Sequence, residues 1–126
     1  MAQKYIKGDV VEYDNKIMVI KEPRDGSHFD LYCPKEGLTK YYVHSDLLNP
    51  IKLDSQIIEK NGIKKKGKWY ELSNIMEFLY MTEDIAINGR FLVCIGECKY
   101  PLTSIRFVHQ LQHLFFGLGL ILEMEV

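Results

Sequence analysis

Apolar residues along this chain keep two different periods. Between positions 104 and 118, SIRFVHQLQHLFFGL, they recur at helical spacing. At about 100° per residue, Phe107, Val108, Leu111, Leu114, Phe115 and Leu118 share one side, and Arg106, His109, Gln110 and His113 share the other. The pattern predicts an amphipathic helix over 104–118. Ser104 would cap its start, Pro101 would bar backward extension, and Gly117 and Gly119 would supply its exit. A face this wide needs a sheet to cover it.

Elsewhere the rhythm is that of short strands. Val10, Val11 and Tyr13 lead to an Asp14-Asn15 turn, and Ile17, Val19 and Ile20 run on to Pro23, where Asp25-Gly26 reverses the chain. Phe29, Leu31 and Tyr32 make a third strand, and Leu38 to Val43, rich in Tyr and Thr, a fourth. This is a small antiparallel barrel-like meander over 1–53, with Pro50-Ile51-Lys52-Leu53 as its last strand or the connection out. In the second part, 54–126, Asp54 caps a short helix over 54–61 that Asn61-Gly62 ends. Lys64, Lys65, Lys66, Gly67 and Lys68 then form a charged loop. Trp69 to Leu72, a Ser73-Asn74 turn, and Ile75 to Met81 follow, the last apolar on both parities like a strand buried on both faces. Asn88-Gly89 joins Ile85-Ala86-Ile87 to Phe91-Leu92-Val93 as a hairpin. Leu120 to Val126 alternates like an edge strand. The fold class expected is α+β: the meander, then an antiparallel sheet packed on the one amphipathic helix.

Composition adds limits. The 126 residues are 47% hydrophobic and 26% charged, enough for a real interior and too apolar for wholesale disorder. A net charge of -1 gives no global field toward nucleic acid, so steering has to come from a local patch. MAQKYIKGD turns polar at once, and no apolar run approaches the roughly 18 residues of a membrane span. A cytoplasmic protein without membrane contact is expected. Three cysteines, Cys33, Cys94 and Cys98, suit reduced thiols rather than a disulfide framework.

Several stretches then resemble a known group. Pro50-Ile51-Lys52-Leu53, Ile58-Glu59-Lys60-Asn61-Gly62-Ile63 and Val108-His109-Gln110-Leu111-Gln112-His113-Leu114-Phe115-Phe116 are similar to the P-I-x-L joint, the N-G-hydrophobic step and the V-H-x-L-Q signature of a family of small uncharacterised, phage- and prophage-associated Bacteroidetes proteins. The resemblance covers essentially the whole chain. It departs at Ile63, where relatives tend to have Phe, and at the helix exit, where Gly-Leu-Gly replaces an alanine and a threonine-glycine pair. What the resemblance implies is a mobile-element context, in which small proteins bind and disable host machinery. Inhibitors of RNA-guided CRISPR effectors belong to that class.

Chemical constellations are thin. Cys94-x3-Cys98 with His109-x3-His113 has the residue types of a zinc finger, but ten residues separate Cys98 from His109 where about twelve are usual, and Cys94 sits inside the apolar run FLVCIG. Buried thiols and two solvent-facing or capping histidines are the preferred reading, with no metal and no cofactor. His44-Ser45-Asp46 cannot converge as a triad, since neighbours on a strand point to opposite faces. His28 and Cys33 lack an orienting third group. No enzyme is expected.

Two binding surfaces remain. KNGIKKKGKWY places Lys64, Lys65, Lys66 and Lys68 beside Trp69 and Tyr70, a mixture suited to phosphate contacts with aromatic stacking, against the bland reading of a solvated turn. Tyr41 and Tyr42 could anchor a protein partner, against completing the barrel. The partner expected is a bacterial defence effector, an RNA-guided nuclease with or without bound RNA. The competing class is a nucleic-acid-binding module that uses the lysine loop.

Overall fold

The computed structural model describes residues 5–72, 75–84, 89–120 and 122–126. Among the described residues the fold is α+β and mostly sheet, with two five-stranded antiparallel sheets and two α-helices. Two compact units divide the chain: Met1–Ile51 with Phe107–Met124, and Lys52–Arg106 with Glu125–Val126.

In the first unit, β1 (Val10–Tyr13), β2 (Lys16–Pro23), β3 (His28–Cys33), β4 (Leu38–His44) and β5 (Asn49–Pro50) are ordered β4-β3-β2-β1-β5. The meander is as the alternation predicts. Asp14 and Asn15 both take positive φ, 51° and 59°, the pair that a twist-matched two-residue hairpin turn demands. The expected barrel, however, does not close: β4 and β5 are the two edges of an open sheet. β5 has only two residues, and its Pro50 has no N–H with which to continue a ladder. Val11, Met18, Ile20, Phe29, Leu31, Cys33 and Val43 cluster on one face with Tyr5 and Leu48.

The main helix, α2 (Val108–Gly117), begins later than its periodicity suggests and belongs to this first unit rather than to the second sheet. Ser104 is no cap. It lies in a strand opposite Leu92, and the extended residue ahead of the helix is Phe107, whose N–H donates to Gln110 Oε1 at 3.0 Å. Helical spacing of apolar residues cannot see that Thr103 to Ile105 are already engaged in a ladder. Val108 N–H meets the Ile51 carbonyl at 2.8 Å, so the P-I-x-L joint is a docking point for the helix start. At the exit, Gly119 (φ 83°) and Leu120 return their N–H groups to Phe116 and Phe115, a Schellman ending that needs glycine at 119 rather than 117.

The second unit opens with α1 (Ser55–Lys60), capped by Asp54 Oδ1 on Ile57 N–H at 2.9 Å and left through Gly62 at φ 78°. β6 (Lys64–Lys66), β7 (Trp69–Glu71), β8 (Leu79–Glu83), β9 (Phe91–Ile95) and β10 (Tyr100–Ile105) follow in the order β10-β9-β8-β7-β6. The lysine stretch is therefore an edge strand and hairpin, not a loop. Ile75 to Phe78 is not strand either: Ile75 and Met76 N–H both turn back to the Leu72 carbonyl, and Phe78 has φ 61°. The expected closing strand Leu120–Val126 is absent from the described residues 122–126. Glu125 instead exchanges both backbone groups with the Asn61 amide, at 2.7 and 2.8 Å. The Ser73-Asn74 turn and Ile85 to Asn88 lie outside the described residues. No described helix is long and apolar enough to cross a membrane.

Candidate functional site

The β6–β7 hairpin turns at Gly67, φ 64°, and sets Lys64, Lys65 and Lys66 opposite Glu71, Tyr70 and Trp69. Strand alternation splits the aromatic pair between faces. Tyr70 is fully buried and burial pushes its hydroxyl pKa up, so it is a core residue and not the partner contact the sequence suggested. Trp69 faces the other way, half-buried, with Tyr80 of β8 edge-on at 6.5 Å. Lys68 Nζ stands 5.6 Å and Lys99 Nζ 5.5 Å from the Trp69 ring centre, and Lys99 lies 4.7 Å from that of Tyr80. Two ammonium groups thus flank an aromatic pair. Tyr80 could have been paired with Trp69 from alternation across the β7–β8 hairpin. Lys99, held in the β9–β10 turn at φ 53°, gives no such signal.

Tyr41 and Tyr42 are both well exposed, on the β4 edge. Register shifts there from Phe29↔Val43 to Leu31↔Lys40, so the two tyrosines face Asp30 alone, a bulge. Tyr42 carries φ 53°, a conformation rare for an aromatic residue. The cause is Asp30, which is 2% exposed: its Oδ1 accepts Tyr42 N–H at 3.0 Å while its Oδ2 meets Arg24 Nη2 at 2.6 Å. The Arg24 guanidinium, then the Tyr42 N–H, hold the Asp30 carboxyl below its usual range. The Tyr42 ring stacks on His28 at 4.0 Å and 6°, with His44 edge-on to His28 at 4.9 Å. Asp25 ties the group together, accepting Ser27 N–H, His28 N–H and Tyr42 O–H and pairing with His28 Nδ1. These bonds, the Ser27 N–H first, hold its carboxyl far below the ordinary range. The result is a rigid aromatic ledge.

Other candidates dissolve into structure. His44 Nδ1 accepts Asp46 N–H at 3.1 Å and caps a single 3-10 turn, Ser45–Leu47. His28 and Cys33 sit at opposite ends of β3, about 17 Å apart by strand rise. Cys94 is buried, which pushes its thiol pKa up, and Cys98 is exposed. His109, expected toward solvent, is 4% exposed with its ring against Tyr5 at 5.1 Å. Burial, then the neighbouring His113, holds its pKa down to about 4. His113 Nε2 lies 2.6 Å from Oδ2 of Asp9, itself 1% exposed. Among the described residues, no group of three or more His, Cys, Asp or Glu is placed to hold a metal ion.

Gln112 is the residue sequence reasoning missed. Its Oε1 accepts Val10 N–H at 3.0 Å, and its Nε2 donates to the carbonyls of Gly8 at 2.8 Å and Leu122 at 3.1 Å. It lines a cleft of about 340 Å³ together with Ile6, Lys7, Asp9, Phe116, Leu122 and Glu123. Gln112 spends its polar atoms inside the fold, so the cleft gains no recognition group from it. The V-H-x-L-Q signature thus maps onto buried architecture. Comparison with protein-family models, curated proteins and solved structures finds no match.

Proposed function

We propose that this protein works by binding rather than by catalysis, and that its contact surface is the β6–β7 hairpin with the Trp69–Tyr80 pair. The observation that carries this reading is the bracketing of Trp69 by Lys68 and Lys99, with Tyr80 packed edge-on. Aromatic faces between ammonium groups suit a ligand that offers both phosphates and unstacked bases. Single-stranded RNA has that chemistry. The resemblance to phage-associated proteins supplies the biological form of the reading: an inhibitor of a bacterial RNA-guided nuclease, acting in the host cytoplasm on the RNA-bearing effector. A second reading, docking on a protein surface alone, is favoured by the Tyr41–Tyr42 ledge, because an anchor already locked in place loses little entropy on binding.

Trp69 is the chain's single tryptophan, so its fluorescence reports on this face directly. Titration with a single-stranded RNA oligonucleotide should quench it. If Lys64, Lys66, Lys68 and Lys99 each neutralise one phosphate, affinity should fall roughly 50-fold between about 50 and 200 mM salt. An unchanged Trp69 signal, together with nuclease-resistant capture of an effector through Tyr41 and Tyr42, would replace this reading with the second.

A further inference from the structure

We propose that Asp9, His113 and His109 form an acid-operated latch that frees α2 from the start of β1 within the first unit. Three observations meet here. Asp9 Oδ2 holds both the Ile6 N–H, at 2.9 Å, and His113 Nε2, at 2.6 Å, clasping the segment before β1 to the helix. One helical turn earlier, His109 is sealed against Tyr5, and its ring centre lies 5.4 Å from that of His113. Asp9 Oδ1 and His109 Nδ1 are both buried without a hydrogen-bond partner.

Among the described residues, the titratable groups brought into contact here are Tyr5 and Asp9 from the segment before β1 and His109 and His113 from α2; Asp9 also lines the neighbouring cleft, with Lys7 and Glu123. The one carboxylate within this set meets His113 through Oδ2, and no hydrogen bond joins its Oδ1 to His109. A proton on His109 would therefore sit buried, unpaired at Nδ1 and beside a second imidazole, and hydration is the relief open to it. Lifting α2 supplies that hydration. The second unit contributes no imidazole to such a response, because all four histidines belong to the first unit. Gln112, next in sequence to His113, joins Gly8, Val10 and Leu122, so its three bonds would be released with the helix.

An imidazole that titrates near 6.5 when hydrated and about 4 when packed favours opening as pH falls between those values. Burial raises the Asp9 carboxyl above its usual range, which works in the opposite sense and offsets part of this response. From His109 alone the open population at pH 5 should rise roughly twentyfold over pH 7.

Amide hydrogen exchange on the whole chain, corrected for intrinsic rates, tests this at pH 7 and pH 5. Peptides over 107–118 should lose at least tenfold protection at pH 5 while those over β8 and β9 keep theirs, and His109→Phe should remove the difference. The latch is overturned if α2 stays protected, if both units lose protection together, or if His109→Phe retains the acid response. Should that variant fail to fold, imidazole resonances of the wild-type chain decide: His109 must gain its proton over the same pH range in which α2 opens.

Discussion

Within the first unit the residues that fix the backbone are polar and hidden. Asp9, Asp30, Ser45, His109 and Gln112 are the buried polar residues among those described, and all five lie in that unit. The second unit is built the other way. Its described interior is apolar, including Ile58, Ile63, Tyr70, Leu72, Leu79, Met81, Phe91 and Val93, and the lysines of β6 stand outside. Apolar burial is tolerant of detail, since any side chain of about the right volume contributes. A buried amide or carboxylate is intolerant, because each unmet hydrogen bond costs its full desolvation. The first unit should therefore be the brittle one, and the second should be able to vary its surface, including the surface proposed to bind.

Gln112→Ala is the sharpest way to break this comparison. The change leaves Val10 N–H and the Gly8 and Leu122 carbonyls unmatched around a small cavity. At roughly 1 kcal/mol or more for each lost partner, the expected cost is about 3–5 kcal/mol. It would be read as a lower urea midpoint at an unchanged slope. A loss below about 1 kcal/mol would mean that the amide is incidental and that the helix is held by its apolar face alone.

The same contrast explains what could be read from sequence. Strand alternation and turn residues gave β1 to β4, the Asp14-Asn15 turn and the α1 cap, because these are decided by neighbours in the chain. The ownership of α2 was illegible. Its apolar face fits any sheet, and the choice is made by Gln112 reaching residues more than 100 positions away. For the same reason His109 read as solvent-facing. Strand alternation already parts Tyr70 from Trp69, but which of the two turns inward is decided by packing within the unit and not by neighbours in the chain, so both read as contact residues. Tyr41 and Tyr42 were legible as exposed aromatics. Their locked geometry was not, since Asp30 imposes it from the neighbouring strand.

Acid should separate the units next. Packed His109 resists protonation while the unfolded chain accepts a proton near 6.5. Stability is therefore intact above that value and is lost as pH falls toward about 4. At about 1.4 kcal/mol per pH unit the loss is at most about 3.5 kcal/mol, reduced by the opposite contribution of the Asp9 carboxyl, which burial raises. Urea unfolding at stepped pH should show this slope in the wild-type chain and a flatter one in His109→Phe. Equal slopes would show that the first unit's polar core is indifferent to its charge state.

The smallest stability change, and the most informative about function, is expected on β6. Lys64, Lys65 and Lys66 are exposed, so replacing all three should move stability by less than about 1 kcal/mol, most of it from losing Lys64 opposite Glu71. Edge strands also need protection from pairing with other chains. β10 has Pro101 and a register break between Pro101 and Thr103, and β4 has the Tyr41–Tyr42 bulge, while β6 pairs with β7 without a register shift and carries three lysines. Lysine there is explained twice over, as a guard and as a phosphate contact, and two triple variants tell these apart. Changing the three lysines to Glu keeps a charged edge, so the protein should remain monomeric in sedimentation while losing RNA affinity at least tenfold. Changing them to Thr removes the guard and the phosphate contacts together, and should add concentration-dependent self-association. If the Glu variant still quenches Trp69 with RNA as wild type does, these three lysines protect an edge and nothing more. The binding surface would then have to be carried by Lys68, Lys99 and the aromatic pair between them.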